Sequence, residues 1–340
     1  MPAQRRPTLA DVAQLAGLSK AAVSLILNDR PGSRLSEEAA ERARAAAAQL
    51  GYKPNPAAQS LRSGKTRTIG FISDQVTITR FASAMVRGTL RAAKEHDHTV
   101  LIAETGDNVS QLAEAFGELI DRRVDGVIVG LMAARMVDIP AAPHGVPVVI
   151  VNGRTPDDLP SVLPDEYAAG RAMASVLLDA GHSRIGFIGD IPHIAGDPRR
   201  SATIARRLAG IRDALGERGA TAVEVVVDDW NTQIGYDEAH RMLAAHPDLT
   251  ALIAATDGVA FGVYQALTDL GRRVPDDISV VSFDDEELAG LVRPGLTTAR
   301  LPYEQMARHG VEMLLGDREL AHELLTMPVI VRDSVRTIDG

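Results

Sequence analysis

From position 68 onward the chain alternates short apolar runs with longer amphipathic stretches. The runs fall at 69–72, 100–103, 127–129, 146–151, 185–188, 223–227, 251–254 and 278–283, and they are rich in Val and Ile. Apolar throughout, they read as strands covered on both faces of a parallel sheet. Between them the apolar positions recur at helical spacing, over about 81–95, 110–122, 166–180, 201–218, 232–246, 258–271 and 302–315. Strand and helix in turn mean βαβ units. A single core stops growing near about 250–300 residues, so this many units predict two Rossmann-like lobes.

The first sixty residues carry a different pattern. Thr8-Leu9-Ala10-Asp11 matches the Ser/Thr-x-x-acid helix start, and Val12, Ala13, Leu15 and Ala16 continue it as an apolar stripe. Gly17-Leu18 break the run, and Ser19 caps a second helix reaching about Asn28. A short helix, a glycine turn and a second capped helix make a helix-turn-helix. At 100° per residue, Ala22, Val23, Ile26 and Leu27 share an inward arc. Lys20, Ala21, Ser24, Leu25 and Asn28 share the outer one. An outer arc of small and polar residues suits a DNA major groove, with Lys20 reaching guanine and Leu25 a thymine methyl. An ordinary helical hairpin is the plainer alternative. A third helix is predicted from the Ser36 cap to Gly51, followed by two prolines and a short basic segment through residue 67. That segment reads as a linker able to order on DNA, with Leu61 as an apolar wedge in the minor groove.

Charge sharpens the division. Residues 1–67 hold 11 Lys/Arg against 5 Asp/Glu, a balance of +6; the remainder holds 25 against 40, a balance of −15. A basic headpiece on an acidic body points to nucleic acid at one end. The 340 residues contain no cysteine, which excludes disulfides, thiolate nucleophiles and thiolate metal sites and fits a reducing compartment. The N-terminus has arginines but no apolar core of a signal peptide, and no apolar run approaches the ~18 residues of a membrane span. The expectation is a cytoplasmic, nucleoid-associated protein with no membrane partner.

Residues 8–28, then Gly51-Tyr52-x-Pro54-Asn55 and Ser60-Leu61-Arg62, closely resemble the lactose-repressor/galactose-repressor family of bacterial regulators. The resemblance continues through Arg122-Arg123-Val124-Asp125-Gly126, Gly181-His182-x-x-Ile185-Gly186, Arg206-Arg207-Leu208-Ala209-Gly210, Thr256-Asp257-x-x-Ala260-x-Gly262 and Val331-Arg332-Asp333-Ser334. It implies a headpiece over 1–54, a hinge helix and linker over 55–67, and an effector-binding, dimerising body over 68–340. The body would be two lobes of the periplasmic-binding-protein type, lobe 1 over about 68–165 and 297–327 and lobe 2 over about 166–296 and 328–340. Thr8, Ser19, Lys20, Ala21, Ser24, Leu25, Asn28, Tyr52, Asn55, Ala58 and Leu61 are the implied DNA contacts. Gln59 and Ala39 depart from the family's usual arginine and threonine.

In open α/β sheets ligands bind beyond the carboxyl ends of the strands, where Asn152, Asp257 and Asp284 fall. Trp230, the single tryptophan, offers a stacking face for a polyhydroxylated ligand. The resemblance implies ligand contact by Arg207, Trp230, Thr256 and Asp284, and secondarily by Phe81, Asn152, Asp165 and Asp257. Each has a plainer reading: Asp257 as a helix cap, Arg207 as a surface-paired residue, Asp284 as part of an acidic turn, Trp230 as packing. Thr256 replaces an asparagine common in the family.

Other signals fail. Ser63-Gly64-Lys65-Thr66 lacks the earlier glycine and preceding strand of a P-loop, and Gly186-Phe187-Ile188-Gly189 does not continue into a dinucleotide fingerprint. His96-Asp97-His98 has no further ligand nearby in sequence. Nothing assembles a nucleophile with a base, and no cofactor or metal is implied. The expected function is a ligand-responsive, sequence-specific DNA-binding regulator, a repressor of sugar-utilisation genes. Its partners are double-stranded operator DNA, a sugar or related effector, and a second copy of the chain in a homodimer. A sugar-binding protein with no role on DNA is the alternative.

Overall fold

The computed structural model describes residues 7–28, 35–53, 64–75, 77, 80–106 and 109–338, with only the backbone of 80, 81, 109 and 110. The chain forms two units, Met1–Arg67 and Thr68–Gly340.

The first unit contains α1 (Leu9–Ala16), α2 (Lys20–Leu27) and α3 (Glu37–Leu50). Local chemistry sets their ends. Thr8 and Asp11 form a reciprocal capping box, and Gly17 closes α1 in the left-handed conformation at φ 66°. Ser19 and Ser36 cap α2 and α3 by accepting from the Ala22 and Ala39 amides. The axes of α1 and α2 turn by 103°, within the range of a helix-turn-helix. Val12, Ala13, Ala16, Val23, Ile26, Ala39, Ala43, Ala46 and Ala47 make one buried cluster.

The second unit is two lobes, each built on a six-stranded sheet with helices on both faces. Lobe 1 contains β1 (Thr68–Ser73), β2 (Thr99–Glu104), β3 (Val127–Met136), β4 (Val148–Arg154), β5 (Ser161–Pro164) and β11 (Glu323–Leu325), in the order β11-β5-β4-β3-β1-β2. All its pairings are parallel. Lobe 2 contains β6 (Arg184–Asp190), β7 (Thr221–Val226), β8 (Ala251–Ala254), β9 (Ser279–Asp284), β10 (Thr297–Arg300) and β12 (Val329–Ile330), ordered β12-β10-β9-β8-β6-β7. Only β10–β12 is antiparallel.

Two expectations change. The apolar pattern read every strand as covered on both faces, but β2 and β7 lie at sheet edges, and Ile102 and Val226 are exposed. The stretch from position 297 was placed in lobe 1. Instead Thr297–Arg300 pairs with β9 in lobe 2, and the chain crosses only afterwards, into α12 (Tyr303–Leu315). Strand pairing is decided by long-range register, which local pattern does not carry. The lobes are therefore joined at three crossings: after β5, between β10 and α12, and between β11 and β12. These strands brace one another, the Asp165 amide donating to Leu325 and the Arg300 amide to Pro328. No single helix among the described residues is long and apolar enough to cross a membrane.

Candidate functional site

The headpiece offers one open face. Val23 and Ile26 are buried against α1 and α3, whereas Lys20 and Ala21 are exposed and Ser24 and Leu25 half-exposed. Leu25 is not part of the buried cluster, an apolar side chain left at a polar surface. Asn28 donates to the Ser24 carbonyl at 2.5 Å, which fixes the end of α2. Thr8 and Ser19 spend their hydroxyls on capping. Tyr52 packs half-buried on the helical core, so its ring is at most partly available to DNA. Asn55, Ala58 and Leu61 lie outside the described residues.

In the second unit a cavity of about 240 Å³ opens between the lobes at the carboxyl ends of both sheets. Met132, Asn152 and Tyr303 line it from lobe 1; Glu166, Ser201, Arg207, Trp230, Thr256 and Asp284 line it from lobe 2. Its floor is a buried guanidinium. Arg207, on α8 (Ile204–Glu217), donates through Nε and Nη2 to both oxygens of Glu166 at 2.6 and 2.8 Å, and through Nη1 to the Ala255 carbonyl at 2.6 Å. Its Cζ lies 4.4 Å from the Phe283 ring centroid and 5.5 Å from that of Trp230. Glu166 begins α6 (Glu166–Asp179), and α6 and α8 cross at glycines. A Cβ on Gly170 would lie 2.3 Å from the Arg207 carbonyl oxygen, and one on Gly210 would lie 2.2 Å from that of Tyr167. Only this close approach brings the fork of Arg207 onto Glu166.

Trp230 is held in the wall by its indole N–H, which donates to the Gly189 carbonyl at 3.0 Å. Gly189 has φ 130°, and a Cβ there would strike Ala255 at 2.1 Å. The Gly186–Gly189 stretch, empty as a dinucleotide motif, thus seats the aromatic wall.

Two polar residues in rare backbone conformations line the cavity from facing strands, Asn152 near the end of β4 and Asp284 as the last residue of β9. Asn152 has φ 60° and Asp284 φ 105°, and such strain clusters at binding sites. Asn152 donates through Nδ2 to the Leu131 carbonyl at 2.8 Å and lies near the Tyr303 hydroxyl, while its buried Oδ1 has no partner. Asp284 lies 3.6 Å from Arg207 Nη2. Burial pushes its carboxyl up to about 8, with the Arg207 charge opposing. Arg207 cannot hold it lower because Glu166 already occupies the fork.

At the mouth, the Met136 amide donates to the Pro198 carbonyl and the Ala202 amide to the Ala134 carbonyl. Arg199 pairs with Asp138 at 2.6 Å. The lobes therefore meet at this edge of the cavity through 134–138 and 198–202.

The structure brings Asn152, Arg207, Trp230, Thr256 and Asp284 into the lining of one cavity, and it separates two other candidates, Asp257 and Asp165, from it. Asp257, neither cap nor lining residue, is fully buried in α10 (Asp257–Asp269); Thr256 is the cap. Its carboxylate accepts from the Ser282 and Thr298 hydroxyls and from the Glu286 amide. No surface remains for a ligand, and burial raises its pKa to about 6 despite those donors. Asp165 caps α6 through the Ala168 amide at 3.2 Å and is not among the cavity residues. The Phe81 side chain lies outside the described residues. Arg207 is not a surface-paired residue, being 3% exposed. In the acidic turn, Asp285 binds Arg300 and Arg332, each at 2.6 Å, leaving Asp284 to the cavity. Glu166 and Tyr303 were not singled out from the sequence, since nothing local distinguishes them; an acid one position past a helix cap is ordinary. His96 and His98 pair with Asp317 and Asp125, the other His98 ring nitrogen lies 2.6 Å from the His96 carbonyl oxygen, and no metal-holding group occurs among the described residues.

Comparison with known proteins adds to this geometry. Residues 8–55 match the family described as bacterial regulatory proteins, lacI family, and residues 174–335 match the periplasmic binding protein-like domain. The ribose operon repressor of Escherichia coli (strain K12) is 31% identical over 315 residues, covering 91% of this chain and 92% of that protein. A crystal structure of the Lac repressor dimer bound to operator and the anti-inducer ONPF superposes with TM-score 0.76 at 26% identity, covering 98% of this chain and all of the other. The transcriptional regulator CelR in complex with cellobiose superposes with TM-score 0.61, also at 26% identity, over 97% of this chain and 100% of that one.

Proposed function

The chain belongs to the lacI family of bacterial regulatory proteins, and on that premise we propose that it is a homodimeric repressor of sugar-utilisation genes, released from or held on its operator by a sugar. It is a DNA-binding transcriptional regulator of a family that acts by binding, not by catalysis. The observation that carries the finer reading is the open face of α2: Val23 and Ile26 anchor the helix while Lys20, Ala21 and Leu25 stay free of the core. Two such faces read the half-sites of a pseudo-palindrome, mirroring a protein two-fold axis. Thr8, Ser19, Ser24, Asn28, Tyr52, Asn55 and Ala58 flank them on the backbone, and Leu61 wedges the minor groove. Headpiece cations supply the salt dependence. The sugar binds in the cavity on Arg207, Trp230, Thr256, Asn152 and Asp284. Relatives whose names speak of ribose and cellobiose support that ligand class. The protein works in the cytoplasm, on the nucleoid.

Effector and operator are coupled reciprocally, typically by ~1–3 kcal/mol. A solute-binding role alone would leave residues 8–55 without a purpose. Fluorescence anisotropy with the DNA upstream of its own gene, at several salt concentrations and with a panel of sugars, tests the proposal. Salt-sensitive binding to a discrete site, shifted by one sugar, is expected. Operator binding indifferent to every sugar would remove the sugar reading.

A further inference from the structure

Glu166 faces the cavity beside Arg207 and is 3% exposed. Its two oxygens take the Nε and Nη2 protons of the guanidinium, and the Ala255 carbonyl takes one from Nη1. The cation that would otherwise attract an anion at the floor is thus compensated by a carboxylate in direct contact. Asp284 is the remaining charged group at the floor. Ionised, it makes the trio −1; protonated, it makes it zero. In neither state is the floor positive. Asn152 adds an acceptor with no donor, because its Nδ2 is bound to the Leu131 carbonyl and its Oδ1 is unpartnered. Arg200 also lines the cavity, but at the exposed rim, where water and salt screen it.

We propose that Glu166 sets the charge class of the effector: the site takes a neutral, hydroxyl-rich ligand that donates to Asp284 and Asn152, and it rejects phosphate esters and carboxylates. The proposal rests on reading this cavity as the effector site. An anionic group at the floor would meet the carboxylates of Glu166 and Asp284 and the Asn152 acceptor, with only the two guanidinium protons that Glu166 and Ala255 leave over to set against them, a basis for discrimination. Glu166→Gln keeps the volume and one acceptor for Arg207 while making the trio more positive by one charge in every protonation state.

Trp230 is the only tryptophan and part of the cavity wall, so its fluorescence reports the floor without any effector. In the full-length protein at pH 7, the ratio of iodide to acrylamide quenching constants rises at least twofold in Glu166→Gln. An unchanged ratio overturns the proposal. Calorimetry with neutral pentoses and hexoses, each beside its own phosphate ester, supplies the second arm. The wild-type protein binds its neutral sugar at least tenfold more tightly than the ester, and Glu166→Gln narrows that gap. A wild type that prefers the ester overturns the proposal, as does ester binding that vanishes in Arg200→Ala and ignores Glu166→Gln. If no sugar in the panel binds, the sugar reading of the function fails, while the quenching ratio still decides the role of Glu166. Should Glu166→Gln not fold, the wild type serves by itself. In that case the calorimetric preference of the wild type for the neutral sugar over its ester decides, and a preference for the ester overturns the proposal.

Discussion

Replacing Gly170 by alanine tests how the ligand site is held. In α6 the added Cβ would lie 2.3 Å from the Arg207 carbonyl oxygen and 3.0 Å from the Ile211 amide nitrogen. Both are backbone atoms, so no rotamer change relieves the overlap, and α8 must retreat by about 1 Å to restore ordinary contact. Overpacking of this kind costs ~1–3 kcal/mol, and a clash with backbone belongs at the upper end. The better helix propensity of alanine returns ~1 kcal/mol, leaving a net loss of ~2 kcal/mol. At ~2–4 °C per kcal/mol for a large domain, the melting temperature falls by about 4–8 °C. The displacement also pulls Arg207 from Glu166, and effector affinity weakens at least tenfold. Gly117→Ala is the control. It lies on the exposed side of α5 (Val109–Asp121), its added Cβ meets nothing within 4 Å, and it should gain ~0.5–1 kcal/mol. Differential scanning calorimetry and effector titration of both variants decide the matter. Equal shifts of one sign, or a Gly170→Ala protein with unaltered effector affinity, would refute the account of the α6–α8 crossing.

Lys20→Ala should weaken operator binding by ~1–3 kcal/mol, if it reads a base as proposed, and leave effector affinity unchanged; anisotropy and calorimetry on one preparation measure both. Leu61→Ala should lower operator affinity at least tenfold with the same indifference to effector, and equal operator affinity would remove the wedge role. Stability should depend on pH through the cleft. The Asp284 carboxyl is raised to about 8 and Asp257 to about 6, so each favours folding below the unfolded carboxylate range and loses that contribution as pH rises through its folded value. His182, lowered by burial, acts with the opposite sign, but only below its usual 6.5. Between pH 7 and 9 a falling melting temperature is therefore assigned to Asp284. Asp284→Asn should flatten it, and an equally steep profile in the variant would contradict the assignment.

How much was legible depended on where each signal resides. Helix ends were plain in the chain because a cap is written within three or four residues: Thr8 with Asp11, Ser19, Ser36, Gly17 and Gly51 all occupy such positions. The main strands were plain because burial on two faces demands uninterrupted apolar runs. The short pieces β5, β10, β11 and β12 were not identified, since two to four residues carry too little pattern. Ligand candidates at strand ends were found where the strand itself was clear, as at Asn152 and Asp284.

The sequence by itself determined the capped helices of the headpiece, the alternation of strand and helix, and the charge contrast between the two parts. All of these follow from neighbouring residues. Only the tertiary structure decided that Thr297–Arg300 joins the second sheet, that Asp257 is a sealed carboxylate held by Ser282 and Thr298, and that Glu166 takes the fork of Arg207, 41 positions away. Those outcomes depend on which backbones approach within contact distance, and a protonation state or a partner is settled by what lies across that gap, not by what lies beside a residue in the chain.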